Sequence, residues 1–146
     1  MHTTDARELP ITNANADTAA AYDAYVREFL SYGSKLRDLF AAADAAPDCA
    51  LVNAHAAALH LAFEGAEGWT HAAPYLDRMA AASGGLSDRE ALFCSAVTAW
   101  GARDFHGALA ALDELTVRWP ADLCALKWGQ YHAFNLGDQA GLLRFG

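Results

Sequence analysis

The chain has 146 residues, 54% apolar and 19% charged, which suits one domain with a real core and excludes a disordered acidic tail. Its net charge of −8, with no basic stripe, opposes binding to a phosphate backbone, so nucleic acid is not an expected partner and a basic protein surface is the kind steered toward it. Thirty-five alanines and 18 leucines stand against four valines and one isoleucine, which excludes a β-sandwich or doubly wound sheet and predicts an all-α fold of about seven helices.

Residues 1–15 are polar, lack the apolar core of a signal peptide, and are expected to form a loose N-terminal arm pinned by Leu9, Pro10 and Ile11. Residues 16–146 are expected to be a helical-repeat domain, truncated at its C-terminus. Its first helix runs from Ala16 to Tyr32, with Tyr22, Val26, Phe29 and Leu30 on one stripe, and Gly33 interrupts it. A second helix covers Ser34 to Ala45 and stops before Pro47. Asp48 is the expected cap of a third, from Cys49 to Phe63, where alanine between large apolar residues allows neighbouring helices to come close.

Gly65 and Gly68 mark a loop, and a fourth helix follows over Thr70–Ala82 with Pro74 in or near its first turn. Ser83-Gly84-Gly85 is a stop. Ser87-Asp88-Arg89-Glu90 has the form of a capping box, with reciprocal bonds between Ser87 and Glu90, and opens a fifth helix to Gly101. Asp104 caps a sixth that ends at Pro120, and Asp122 caps a seventh that runs to Leu136. An eighth begins after Gly137-Asp138. Leu142, Leu143 and Phe145 look exposed at this uncapped end, which predicts a homo-oligomer or a missing downstream segment.

Three cysteines, Cys49, Cys94 and Cys124, lie among apolar neighbours without a CxxC pair and read as reduced, buried thiols of a cytoplasmic protein. No apolar run is long enough to span a membrane.

The spacing carries the most information. Ser87 to Asp104 is 17 residues, and Asp104 to position 121 is another 17, so two helices recur in 34 residues, the tetratricopeptide period. One helix pair cannot bury its faces alone, which is why pairs stack.

Two segments go further. Arg89-Glu90-Ala91-Leu92-Phe93-Cys94-Ser95-Ala96-Val97 leads through Asp104-Phe105 to Ala108, and Trp119-Pro120-Ala121-Asp122-Leu123-Cys124-Ala125-Leu126-Lys127 is followed by Phe134-Asn135-Leu136-Gly137. This pattern resembles the tetratricopeptide repeat protein 38 family. The resemblance implies a helical solenoid acting as an interaction scaffold and no catalytic residues, and it places this chain as the N-terminal third of the longer family chains. Phe93 and Gln130 stand where family members often carry histidine.

Candidate sites follow from helical geometry. Lys127 and Gln130 share a face, and Lys127 occupies a first-helix position that in tetratricopeptide arrays often faces the groove, with Tyr131 and Phe134 further along. A lysine there can hold the carboxylate terminus of a partner peptide, although the asparagines of a carboxylate clamp are absent. Glu90, Val97 and Trp100 take similar positions one repeat earlier. The expected function is a non-catalytic scaffold that binds a protein or peptide through the first, third, fifth and seventh helices, with no cofactor or metal. The alternative is a small-molecule or enzymatic pocket between repeats, with Glu90, His55 and His60 as its first candidates.

His55 and His60 lie five apart, about 140° around a helix, and Cys49 lies nearly opposite His55, so these three read as packing or solvated residues rather than zinc ligands. Trp69, Trp100, Trp119 and Trp128 fall mostly at core spacing. The paired acids Glu64/Glu67 and Asp113/Glu114 read as solvent faces.

Overall fold

Residues 2–15 do not form a loose arm. In the computed structural model, which describes residues 2–145, β1 (His2–Thr4) and β2 (Pro10–Thr12) pair antiparallel, with Thr3 opposite Ile11. Met1 and Gly146, the outermost residues of the two expected segments, lie outside the described residues. Local chemistry closes the hairpin: Asp5 Oδ1 accepts from the N–H of Arg7 at 2.8 Å and of Leu9 at 3.0 Å. Ile11, the one isoleucine, is fully buried and anchors the hairpin in the core.

Eight helices follow among the described residues, and the fold is all-α apart from the hairpin. Asn15 caps α1 (Ala16–Leu30) by accepting from Thr18 N–H at 2.8 Å, and Tyr22, Tyr25, Val26 and Phe29 form its buried face. The helix stops earlier than its apolar stripe predicts, because Tyr32 takes a left-handed turn at φ 58° while Gly33 N–H donates to Glu28 O at 2.7 Å. The same closure ends the fifth helix at Arg103 (φ 63°) and the seventh at Gly137 (φ 68°). Only Gly137 takes that backbone without steric cost; a side chain there costs about 1–2 kcal/mol.

Helix α2 (Asp38–Ala45) starts four residues later than Ser34. Helix α3 (Ala50–Phe63) is central, with 11 of its 14 residues buried. Asp48 does not cap it. Cys49 is the cap residue and contributes no side-chain bond, while Asn53, buried one turn on, donates to Ala46 O and Cys49 O, each at 3.0 Å.

Helix α4 (Glu67–Ala81) starts three residues before the expected Thr70, which puts Pro74 in its interior. The bond lost is to Thr70 O, and both residues face solvent, where water can serve that carbonyl. Helix α5 (Asp88–Gly101) has both bonds of the Ser87–Glu90 capping box. Helices α6 (Phe105–Arg118) and α7 (Leu123–Asn135) are capped by Asp104 and Asp122, and α8 (Gln139–Phe145) closes the chain.

Three consecutive helical hairpins, α3/α4, α5/α6 and α7/α8, pack against one another, with α3 on α5 and α6 on α7. Helix α1 then packs on α7. Among the described residues, no helix is long and apolar enough to cross a membrane. All three cysteines are free and buried, and burial raises each thiol's pKa, that of Cys94 to about 12, so they hold little thiolate at neutral pH. At the C-terminal end Phe145 is buried against Gly129, contrary to its expected exposure, Leu142 is half-buried, and Leu143 stays exposed.

Candidate functional site

The side chains expected to line a groove divide into two groups. Glu90, Val97 and Trp100 are buried and do not face solvent. At Glu90 the cause is the chain's own N-terminal segment. Glu90 Oε1 accepts from Thr12 N–H at 2.7 Å, and Oε2 accepts from Thr12 Oγ1 at 2.7 Å as well as from Ser87. Beside it, Arg89 donates to Pro10 O at 2.6 Å and to Asp122 Oδ2 at 2.8 Å. That ion pair is almost wholly buried and joins the Arg-Glu and Pro-x-Asp segments of the sequence pattern. Trp100 is held edge-on to His132, with centroids 4.2 Å apart, and to Trp128 at 5.3 Å.

Most of the apolar face of α1 is buried against the other helices, and only its C-terminal end reaches an opening. Its Tyr22 and Tyr25 hydroxyls approach the two ring nitrogens of His55 at 3.5 and 3.0 Å. A neutral imidazole has one donor and one acceptor nitrogen, so one phenol donates and the other accepts. His55 stacks on Phe93 with centroids 4.1 Å apart. Burial, reinforced by the Arg89 charge, lowers its pKa well below the ordinary histidine value and keeps it neutral. His55 is therefore a core residue, and Cys49 makes no site with it.

Lys127, Tyr131 and Phe134 do come together. They line an open pocket of about 450 Å³ between the C-terminal end of α1, the turn after it, the C-terminal end of α3, and α7. Phe29 and Trp128, 4.6 Å apart, also line it. Its rim carries three largely exposed aromatics, Tyr32, Phe63 and Phe134. Tyr131 reaches across to Ala62 O at 3.4 Å.

The Lys127 ammonium donates to Phe29 O and sits 3.7 Å from the Tyr32 ring centroid and 4.6 Å from that of Phe29. Partial burial lowers its pKa. No carboxylate pairs with it among the described residues. Gln130 shares the lining, and its amide donates to Phe145 O at 2.9 Å. The left-handed backbone at Tyr32, costly for a non-glycine residue, holds that ring over the ammonium.

A second polar cluster was not found by reading spacing. His60 and Glu64, on the last turn of α3 and just beyond it, meet His71 of α4. His60 Nδ1 contacts Glu64 Oε1, and His71 Nδ1 lies 3.1 Å from the same oxygen. Bonding to both imidazoles lowers the Glu64 pKa despite the opposing effect of desolvation. Glu64 is thus not a bland solvent-face acid. His60–Glu64 is an i, i+4 pair visible in the sequence; His71 joins it only through the α3–α4 turn.

No family model matches the chain, nor does any curated protein or solved structure.

Proposed function

We propose that this chain is a non-catalytic, tetratricopeptide-like binding module whose pocket accepts the C-terminal residue of a partner protein, apolar in side chain and free in carboxylate. The observation that carries this reading is Lys127, an ammonium without a carboxylate partner at an aromatic pocket. A few polar groups set in an apolar lining are the usual make-up of a ligand pocket. Here the aromatics supply area and Lys127 supplies orientation. No carboxylate or imidazole lines this pocket among the described residues, which favours binding over acid–base chemistry. The surface used is the α1–α3–α7 pocket, because Glu90 is bonded to the hairpin and Val97 and Trp100 are buried.

The test uses hexapeptides ending in Leu or Phe, as free acids and as amides, with tryptophan fluorescence as the readout. A charge-assisted hydrogen bond contributes about 1.5–3 kcal/mol, roughly 10- to 100-fold in affinity. Free acids should therefore bind tighter than amides by that factor, and Lys127→Met should remove the difference. Equal binding of acid and amide, or a Lys127→Met variant that still discriminates, overturns the reading. Saturable binding of an aliphatic acid with no peptide binding overturns the partner class.

A further inference from the structure

The His60–Glu64–His71 cluster combines two imidazoles and one carboxylate, and one donor atom of each lies within 4.8 Å of the others. Several features fix this arrangement. Gly68 brings α4 so close to α3 that a Cβ at that position would sit 2.1 Å from His60 O. The His60 ring stacks on Phe40 with centroids 4.3 Å apart and lies 5.5 Å from Tyr75, which restricts its rotation. Glu64 and His71 flank the turn, so the three donors converge from both sides of it. A separate cavity of about 230 Å³, lined by Arg37, Phe40, His60 and Glu64 among others, adjoins the cluster.

We propose that His60, Glu64 and His71 form a binding site for a divalent first-row transition metal of the zinc class. Two nitrogen donors disfavour Mg²⁺ and Ca²⁺, which take oxygen ligands. Two histidines and one carboxylate leave a tetrahedral ion one further position, filled by water or a small anion from the adjoining cavity. Without metal, the two histidines serve Glu64 as hydrogen-bond partners. With metal, the same donors tie the end of α3 to α4.

Co²⁺ reports geometry through its visible absorption, and Zn²⁺ gives an affinity by calorimetry. Both are titrated into the chelator-treated full chain at neutral pH. One saturating equivalent is expected, with the intense visible bands of four-coordinate Co²⁺. His71→Ala and Glu64→Gln remove a direct ligand each. Losing even an outer partner of a metal ligand costs about 10- to 100-fold, so each variant should lose at least that much affinity. His71 is half-exposed, so its removal should leave the helical circular dichroism intact. His106→Ala, on exposed surface, should bind as the parent does. Lys127→Met should also bind metal normally, which keeps this result separate from the peptide pocket. Binding should weaken in mild acid, because ligating imidazoles must be neutral. No saturable binding of either ion, or unchanged binding in His71→Ala, overturns the proposal.

Discussion

Replacing Glu90 with glutamine tests whether one carboxylate holds the N-terminal hairpin to the helical body. The side chain has no solvent exposure and accepts four bonds: one at Oε1 from Thr12 N–H, and three at Oε2 from Thr12 Oγ1, Ser87 N–H and Ser87 Oγ. Glutamine has nearly the same shape but replaces one acceptor with an NH₂ donor. With that group toward Thr12, it faces the Thr12 N–H. With it toward Ser87, the hydroxyls of Thr12 and Ser87 can rotate to accept, but the Ser87 N–H is left facing a donor. Either way one part-buried backbone N–H loses its bond, at about 1–3 kcal/mol. The surviving bonds also lose their charge assistance, and with it roughly half their strength. The total is about 2–4 kcal/mol, a large part of a typical stability of roughly 5–15 kcal/mol. With a urea slope of about 2 kcal/mol/M the unfolding midpoint should fall by about 1–2 M. Thr12→Val removes one hydroxyl and should cost only about 1 kcal/mol. Amide exchange at Thr12 distinguishes local release of the hairpin from global loss. A Glu90→Gln variant within about 0.5 kcal/mol of the parent, with Thr12 still protected, would refute the latch.

Arg89→Leu should cost about 3–5 kcal/mol in chemical denaturation, because it leaves the Asp122 carboxylate buried without its partner; adding Asp122→Ser should recover part of that loss, and additive costs would argue against a direct pair. Stability should fall as pH drops from about 6.5 toward 4: burial lowers the pKa of His132 to about 4 and that of His55 well below its ordinary 6.5, so the unfolded chain takes up protons that the folded chain refuses. Each histidine adds a slope of up to about 1.4 kcal/mol per pH unit, and urea melts of His132→Phe across this range should show a shallower dependence than the parent, whereas the same dependence would mean that His132 does not titrate against burial. Gly68→Ala should cost about 1–3 kcal/mol, because its Cβ meets the His60 carbonyl and α4 must move off α3, whereas Gly84→Ala meets nothing within 4 Å and should be close to neutral in thermal melts.

What was legible in the sequence was the chemistry that closes over three or four residues. The Ser87–Glu90 box and the Asp104 and Asp122 caps bond to amides three residues on, so residue type and spacing suffice to place α5, α6 and α7. The departures fall where no local bond marks the start of an element or where a longer-range contact decides. Asp48 has the residue type of a cap, but Cys49 takes the cap position without a side-chain bond, and Asn53 serves only the carbonyls of Ala46 and Cys49. Pro74 looked like a first-turn residue because no local signal marked the earlier start at Glu67. The hairpin was hidden because its strands are three residues each, and its anchor, Ile11, is buried by the helical body rather than by its own partner strand.

The site was half legible for the same reason. Helical phase puts Lys127, Tyr131 and Phe134 on one face, since positions three, four and seven apart share a face, and all three line one cavity. Phase also put Glu90, Val97 and Trp100 on a groove-lining face, but whether a face is open depends on what covers it. Glu90 shows the conflict within one residue: once its carboxylate closes the capping box, its remaining acceptor capacity suits a second buried donor pair, and Thr12 supplies one 78 positions away. Tyr22 and Tyr25 do the same at His55, since a buried imidazole needs partners at both nitrogens and two phenols four and seven residues before Phe29 provide them. A buried acid and a buried histidine on facing helices thus mark where the chain has already supplied its own ligand. Lys127 differs in that its ammonium meets a carbonyl and two aromatic rings but no carboxylate, and for that reason the opening beside it is the place to look for a partner.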